Sequence, residues 1–429
     1  MNLQHEPEPY GEVEAISNFA RVHLAAPDRT AVEVSRTEAA QDFAKKPKKV
    51  LWVTNLAAPY RLPVWRYLAK RYELMVALLE SNAGLQQDSG ANRGRDWLHG
   101  SSDDFAFSEL SCWKYHRGEA RYYFLKRNRS VLAVRKFDLV LFGGWESPAY
   151  WSLLAAALAF RRARVGFYES PANTMTYRSG FVSWFRSSFF RMMDLVVVPG
   201  PAAAEAVLSM GVRPSRVLQG FNAVDVAEFY HAASSASLVE SADGPGHRYL
   251  YAGRLIPLKR VDAIIRAFVQ IAEPDDQLTV VGSGSLREDL RLLADQSGSK
   301  VRFLDHIENS EMPAVMAHHH TLVLASEREV WGLVVNEALA SGMHVVVSDN
   351  CGVVPSVRAM HGVHTVREDL TDLGRQMQSS KAAWTGRIAE PEILQHTPER
   401  LADVFDSAFA ASLGTSRRNS TRKYESEAN

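Results

Sequence analysis

Glu329 and Glu337 stand eight positions apart in the run Glu329-Val330-Trp331-Gly332-Leu333-Val334-Val335-Asn336-Glu337. A strand-like stretch from Thr321 to Ala325 precedes the first acid, and a helical segment closed by Gly342 carries the second. A strand, a glycine-containing turn and a helix start recur as an anion site, because the first N–H groups of a helix lack intrahelical partners and face the ligand. Two carboxylates beside such a site suit a ligand that is anionic in its middle and rich in hydroxyls at both ends. A nucleotide sugar has that chemistry. A solvated helix start, where the helix dipole favours acids, has the same residues; the pair alone leaves both readings open.

Upstream, the segment Tyr251-Ala252-Gly253-Arg254-Leu255-Ile256-Pro257-Leu258-Lys259-Arg260 places Arg254 and Lys259 just past a strand's carboxyl end. Open parallel sheets bind ligands at that edge. A planar guanidinium fork and a compact ammonium together complement a diphosphate, although a solvated loop would have the same composition. Val281-Gly282-Ser283-Gly284-Ser285 is a further strand-to-helix turn, with Arg287 where a dinucleotide fingerprint has its third glycine. Gly282 and Gly284 are therefore read as serving a tight turn, with backbone able to pass near a nucleotide. Glu146 (in Phe142-Gly143-Gly144-Trp145-Glu146-Ser147) and Glu169 (in Tyr168-Glu169-Ser170-Pro171) each follow a strand-like run. Either can orient or deprotonate a hydroxyl, and a purely structural role is the alternative for both. No Asp-x-Asp pair occurs in the chain, so a diphosphate would be met by cationic side chains and no metal is expected. His318-His319-His320 is read as a polar or cationic helix end, since consecutive histidines point apart and suit no metal.

These residues need elements to hold them at one edge. Strands are expected at Val50–Thr54, Leu74–Leu79, Phe137–Phe142, Arg164–Tyr168 and Leu195–Pro199, with a helix at Pro63–Arg71 and others between. A second series has strands at Tyr249–Ala252, Leu278–Val281, Val301–Leu304, Thr321–Ala325 and His344–Ser348. Its helices are expected at Val261–Ile271, Leu286–Asp295, Ser310–Ala317 and Leu333–Ser341. This alternation predicts an α/β chain of two Rossmann-like, doubly wound domains facing a central cleft. The boundaries read as a disordered extension over 1–46, a first domain over 47–230, a Ser/Ala/Gly-rich linker over 231–247, a second domain over 248–412 and a flexible tail over 413–429. The last helix of the second domain is placed where it can pack back on the first.

Bulk properties narrow the classes. Hydrophobic residues at 46% and charged residues at 23% suit a globular protein. The 49 basic and 49 acidic side chains cancel, so no nucleic-acid partner is expected. Two cysteines in no ligand spacing fit a reducing, cytoplasmic compartment, and Met1–Pro9 lacks the pattern of a secretory signal. Trp151–Phe160 is half the length of a membrane span. The segment Tyr177–Met193 holds Arg178, Arg186 and Arg191 with Phe181, Trp184, Phe185, Phe189 and Phe190, and no acid. It suits peripheral contact with an anionic membrane at the inner face of the cell membrane, or packing beneath the first sheet.

Residues 249–357 resemble the donor-binding domain of retaining glycosyltransferases of family 4, which have the GT-B fold. The resemblance rests on Gly253-Arg254-Leu255 with Lys259, Val281-Gly282-Ser283-Gly284, Phe303-Leu304-Asp305-His306-Ile307, and Ser326 through Glu337 followed by Ala338-Leu339-Ala340-Ser341-Gly342. Gly220-Phe221-Asn222-Ala223-Val224-Asp225 extends it more loosely into the first half, so that it spans roughly 48–412. It implies a hexosyltransferase moving a sugar from a nucleoside diphosphate sugar to a hydroxyl of a glycan or lipid-linked acceptor, with the donor as co-substrate and no cofactor. Arg254 and Lys259 match the basic pair on the donor diphosphate, Glu329 the acid on the donor sugar's hydroxyls, and Glu337 the acid on the ribose. Gly332, Leu333 and Val334 follow Trp331 in the turn that would present N–H groups to the phosphates, and Asp305, His306 and Ile307 would border the base.

Two features depart from the family. Asn55-Leu56-Ala57-Ala58-Pro59-Tyr60-Arg61 replaces the glycine-rich loop after the first strand, and Glu169 occupies the region of the family's histidine. An Ala-Pro-Tyr-Arg opening is similar to that of bacterial surface-polysaccharide transferases. Tyr60, Arg61 and Glu146 are therefore acceptor-side candidates, with Glu169 ranked first as the catalytic group there. A nucleotide-sugar epimerase and a non-catalytic nucleotide-sugar-binding protein remain alternatives on the same scaffold.

Overall fold

The computed structural model describes residues 46–81, 104–117, 120–126, 128–236, 246–298 and 300–426. The extension expected over 1–46 lies outside them, apart from Lys46. Residues from Lys48 onward form one compact unit. It contains two parallel sheets and a separate hairpin.

The first sheet has the order β3-β2-β1-β6-β7-β8-β9: β1 Lys49–Thr54, β2 Glu73–Leu78, β3 Ala106–Glu109, β6 Leu139–Phe142, β7 Ala163–Phe167, β8 Leu195–Val198 and β9 Val217–Gln219. The second has the order β12-β11-β10-β13-β14-β15: β10 Arg248–Ala252, β11 Gln277–Val281, β12 Val301–Leu304, β13 Thr321–Leu324, β14 His344–Ser348 and β15 Val363–Val366. Central strands are covered on both faces, which is why Val50-Leu51-Trp52-Val53 and Leu139-Val140-Leu141-Phe142 are unbroken apolar runs. Each sheet grows outward from its central strand on one side and then the other. The order therefore reverses between β1 and β6, and again between β10 and β13, and the carboxyl ends of such a pair leave a crevice for a ligand.

Helices of eight residues or more are α1 Leu62–Ala69, α2 Pro148–Ala159, α3 Gly180–Arg191, α4 Pro201–Ser209, α5 Val226–Ala236, α6 Val261–Ile271, α7 Arg287–Ser297, α8 Leu333–Ala340, α9 Leu373–Ala383 and α10 Pro398–Ser426. On one face of the first sheet lie α2, α3, α4 and the antiparallel hairpin β4 Cys112–Arg117 with β5 Ala120–Leu125. Buried Glu80, just past β2, accepts hydrogen bonds from Lys114 and from Tyr123 at 3.1 Å, pinning that hairpin to the sheet. On the other face lie α1 and α10. Phe405 of α10 packs 4.8 Å from Trp52 and 5.2 Å from Phe167, so the last helix rests on the first domain's core.

Two expected boundaries change. Ala223 is buried in the first domain's core, whereas Val224, Val226 and Phe229 are buried in the second's. The chain thus crosses over before α5, and residues 231–236, expected as linker, complete a helix whose apolar face packs on the second domain. At the other end, α10 runs past the boundary expected at 413, to Ser426, with no proline or glycine after Gly414 to stop it. The sequence reading left out β3, β9, β15 and the hairpin.

Candidate functional site

The crevice between β10 and β13 is built from the loops that leave those strands. Beyond Ala252, Gly253 takes φ 156°, and the loop runs through a short 3-10 turn, Pro257–Lys259, to Arg260 in the left-handed region. Beyond Leu324, the other loop carries Glu329, which makes a single parallel bridge with Cys351. Gly352 N–H donates to the Glu329 carbonyl at 3.1 Å, and Val353 N–H to that of Trp331 at 3.1 Å. With its backbone fixed in this way, the Glu329 carboxylate accepts a hydrogen bond from Lys259 Nζ, and both side chains are largely buried. Arg254 is exposed, with its carbonyl held by the Tyr251 hydroxyl at 2.8 Å. The Cys351 thiol beside Glu329 is raised by burial and stays protonated, which leaves it no nucleophilic role.

Gly332 has φ 96°, and a Cβ there would also press on the Leu324 side chain at 3.1 Å. This glycine turns the chain into α8, whose first-turn N–H groups at Leu333 and Val334 have no intrahelical acceptor. Glu337 lies one turn along. Burial, and then the charge of Glu228 on α5, push its carboxyl up to about 7 from an ordinary 4.5. The Gly282 and Gly284 loop packs flush against the 253–255 loop: Leu255 N–H donates to the Ser283 carbonyl at 2.8 Å, and a Cβ on either glycine would strike a Gly253 or Leu255 carbonyl. Arg287, in the place of the third glycine, donates to the carbonyls of Gly282 at 2.5 Å and Leu304 at 3.1 Å and pairs with Asp305 at 2.6 Å. It ties the ends of β11 and β12 together. His306, exposed, and Ile307, half-buried, follow at that edge.

The crevice between β1 and β6 has a different chemistry. Glu146 accepts from Asn55 Nδ2 at 2.9 Å and from Trp145 N–H at 3.0 Å, while the buried Tyr150 hydroxyl donates to Asn55 Oδ1 at 2.8 Å. Glu169 accepts from buried Arg61 and from Asn222 Nδ2 at 3.1 Å. The Arg61 guanidinium lies 4.4 Å from the Phe167 ring centroid. Both carboxylates are thus already held by donors. Held by Arg61 and Asn222, Glu169 has a fixed orientation toward whatever group enters this crevice.

A polar chain joins the two crevices. The Asn222 carbonyl accepts from Asn336 Nδ2 at 2.6 Å, and Asn336 Oδ1 accepts from Trp331 Nε1 at 3.2 Å. Phe221 packs edge-on against Trp331 at 5.1 Å, and Tyr60 packs against the second domain's core. In the loop after Glu169, Asn173 donates to the Asn350 carbonyl at 3.0 Å, and a Cβ on Gly352 would come within 3.3 Å of Pro171. Glu169, Arg61, Asn222, Trp331 and Glu329 are therefore brought to one region. The roles of Asn222 and Asn336 escaped the sequence reading. The available signal was an asparagine closing the otherwise apolar first turn of α8, Leu333-Val334-Val335.

The histidine run follows the short helix Met312–Met316, as the polar alternative expected, and the cationic one is set aside. His319 is buried, bonded to the Val315 carbonyl at 2.7 Å and to Thr279 at 2.9 Å, and His320 stacks on Trp384. Burial lowers them to about 4 and about 3, so neither is a cationic helix end near neutral pH.

Residues 240–380 match the family described as glycosyl transferases group 1. A GDP-mannose-dependent alpha-mannosyltransferase of Mycobacterium tuberculosis is 29% identical over 44% of this chain and 47% of its own length. A D-inositol 3-phosphate glycosyltransferase of Salinispora tropica is 31% identical over 66% of this chain and 67% of its own. The first relatives are spanned over only 34% and 47% of their lengths. Among solved structures, Anabaena HepE in complex with UDP and glucose aligns with TM-score 0.55 at 16% identity, covering 88% of this chain and all of that one. The lipopolysaccharide outer core galactosyltransferase WaaB aligns with TM-score 0.61 at 11% identity, covering 85% and 99%. At such identities the structural likeness speaks for the fold, which is GT-B. No described helix is long and apolar enough to cross a membrane.

Proposed function

This chain belongs to the glycosyl transferases group 1 family, and on that premise we propose that it is a retaining, metal-independent hexosyltransferase of polysaccharide assembly. It would take a nucleoside diphosphate sugar as donor and a hydroxyl of a glycan or lipid-linked intermediate as acceptor, working at the cytoplasmic face of a membrane. The observation that carries this reading is the Lys259–Glu329 pair in the β10/β13 crevice, beside the Gly332 turn.

In the reaction, the bond from the anomeric carbon to the diphosphate oxygen breaks as the acceptor oxygen bonds to that carbon. The acceptor's proton passes to the departing diphosphate or to a nearby base. Negative charge grows on the diphosphate, where Arg254, Lys259 and the N–H groups of Leu333 and Val334 would stabilise it. Positive charge grows on the sugar, whose hydroxyls Glu329 would hold. Glu337, one helical turn away, would take the ribose, with Gly253, Gly282, Gly284, His306 and Ile307 lining the nucleotide. On the acceptor side, Arg61 holds Glu169, and Glu169 would orient the incoming hydroxyl.

The test is turnover with a panel that includes UDP-glucose and GDP-mannose and a hydroxyl acceptor, with the anomeric configuration of the product read by NMR. A product of the donor's own configuration supports the proposal. An inverted product overturns retention. Conversion of the donor to an epimer without acceptor, or binding without any turnover, overturns transfer.

A further inference from the structure

Among the described residues, every exposed tryptophan, tyrosine and phenylalanine lies in one layer of the first domain. Trp113, Tyr115 and Phe124 are on the β4–β5 hairpin, and Tyr177, Phe181, Trp184 and Phe185 lie in or just before α3. Both elements cover the same face of the first sheet. Between them stands α2, against which β5 packs and whose Trp151 meets Phe185 at 5.4 Å and Phe189 at 5.1 Å.

Strand and helix periodicity explain which side chains face out. On the hairpin, Cys112 and Tyr123 turn into the core, so Trp113 and Tyr115 turn away, opposite Phe124 and Tyr122. On α3, Arg186, Phe189 and Phe190 are buried and anchor the second half of the helix. Its first half leaves Phe181 75% and Trp184 57% exposed, in contact with each other at 5.9 Å and with Phe185 at 5.1 Å. A cluster of this kind costs solubility on a free surface and marks an interaction site.

Charge selects the partner. Lys126 lies 4.5 Å over the Trp113 ring, Arg178 and Arg191 are exposed at either end of α3, and the stretch Tyr177–Met193 has no acid, in a chain whose total charges cancel. A second copy would set these cations against their own equivalents. An anionic bilayer offers both an apolar interior edge for the rings and phosphates for the cations.

We propose that the outer surface of the hairpin and of the first half of α3 rests on an anionic lipid bilayer. The contact is peripheral and follows the Glu169 loop directly along the chain, so a membrane-borne acceptor would be delivered on the Glu169 side. The proposal does not depend on the donor chemistry.

The experiment is co-sedimentation of the full chain with vesicles of phosphatidylcholine alone and of phosphatidylcholine with 30% phosphatidylglycerol, at low and high salt. Expected is binding to the anionic vesicles only, weakened by salt. The paired changes Phe181→Ser with Trp184→Ser should lower it about tenfold, and Trp113→Ser with Tyr115→Ser should weaken it as well. These side chains are exposed, so thermal midpoints and nucleotide-sugar binding should match the wild type. Failure to bind anionic vesicles, equal binding to both vesicle types, or undiminished binding of both paired variants overturns the proposal. So does a wild-type dimer in light scattering that the variants make monomeric. Vesicle failure with nucleotide-sugar binding intact would count against this surface alone, leaving the transferase reading untouched.

Discussion

The two crevices of this molecule share an architecture and differ in chemistry. At β10/β13, a lysine and a glutamate meet across the point where strand order reverses, next to a glycine turn and a helix start. At β1/β6, the corresponding position is filled by Asn55, Glu146 and Tyr150, a relay in which the Tyr150 hydroxyl donates to Asn55 and Asn55 donates to the Glu146 carboxylate. A lysine beside helix N–H groups can meet a dianionic leaving group, whereas a carboxylate held by amide donors can only fix geometry. The fold supplies two similar crevices, and side-chain type at the strand ends decides what chemistry each one carries.

The sharpest way to break this comparison is to make similar changes in both crevices. Lys259→Ala or Glu329→Ala should lower kcat/KM for transfer about 10³-fold, while the thermal midpoint moves little. Glu146→Gln keeps the side chain's shape but turns one of its two accepting oxygens into a donor, and should cost only a few-fold, seen in the acceptor KM. A comparable loss at all three positions, or none at Lys259 and Glu329, would remove the distinction.

A second contrast is in acid. His247, His319 and His344 are lowered by burial to about 4, and His320 to about 3, from an ordinary 6.5, all within the second domain. A base that stays neutral in the fold but takes a proton when unfolded stabilises above pH 6.5, and that stability is lost as pH falls toward 4. The second domain should therefore unfold first on acidification, with an uptake of more than one proton, as followed by hydrogen exchange across the two halves. Glu337 works with the opposite sign. Its raised carboxyl makes stability fall as pH rises from about 4.5 to about 7, and Glu337→Gln should flatten that slope. First-domain loss preceding second-domain loss would contradict this assignment.

The link between the crevices is expected to have a smaller effect. Asn336→Ala leaves the buried Asn222 carbonyl and Trp331 N–H without their partner, at about 2 kcal/mol in stability. Because Trp331 precedes the Gly332 turn, kcat should fall about tenfold with the donor KM nearly unchanged. A donor KM that rises in step with the fall in kcat would place Asn336 in donor binding instead.

Much of the second domain was legible from the chain. Its strands are short apolar runs ending in Gly253, Gly282 or the Ser326–Gly332 loop, and the strand-end rule sends those loops to one edge. The first domain was less legible. The hairpin mixes aromatic and basic residues, with only Cys112 and Tyr123 turned fully into the core, and the buried Glu80 that completes its docking lies outside it. The crossover was set too late because Ala232–Ser237 has linker composition, while the burial of Val224, Val226 and Phe229 depends on a surface contributed by α8 and its neighbours. Arg287 looked like a defect in a glycine fingerprint and proved to be a staple between two strand ends.

By itself, the sequence determined the two doubly wound domains and the placement of Arg254, Lys259 and Glu329 on the loops that leave β10 and β13. These follow from periodicity and from the fixed direction in which parallel strands deliver their loops. Tertiary structure alone decided that Lys259 pairs with Glu329 and that Arg61 and Asn222 occupy Glu169. It also decided that Asn336 reaches across to the other domain, and that the rings of Tyr177–Phe185 stay outside while Phe189 and Phe190 go in. Those choices depend on which surfaces remain to receive a side chain after distant segments have packed, and no local pattern encodes that.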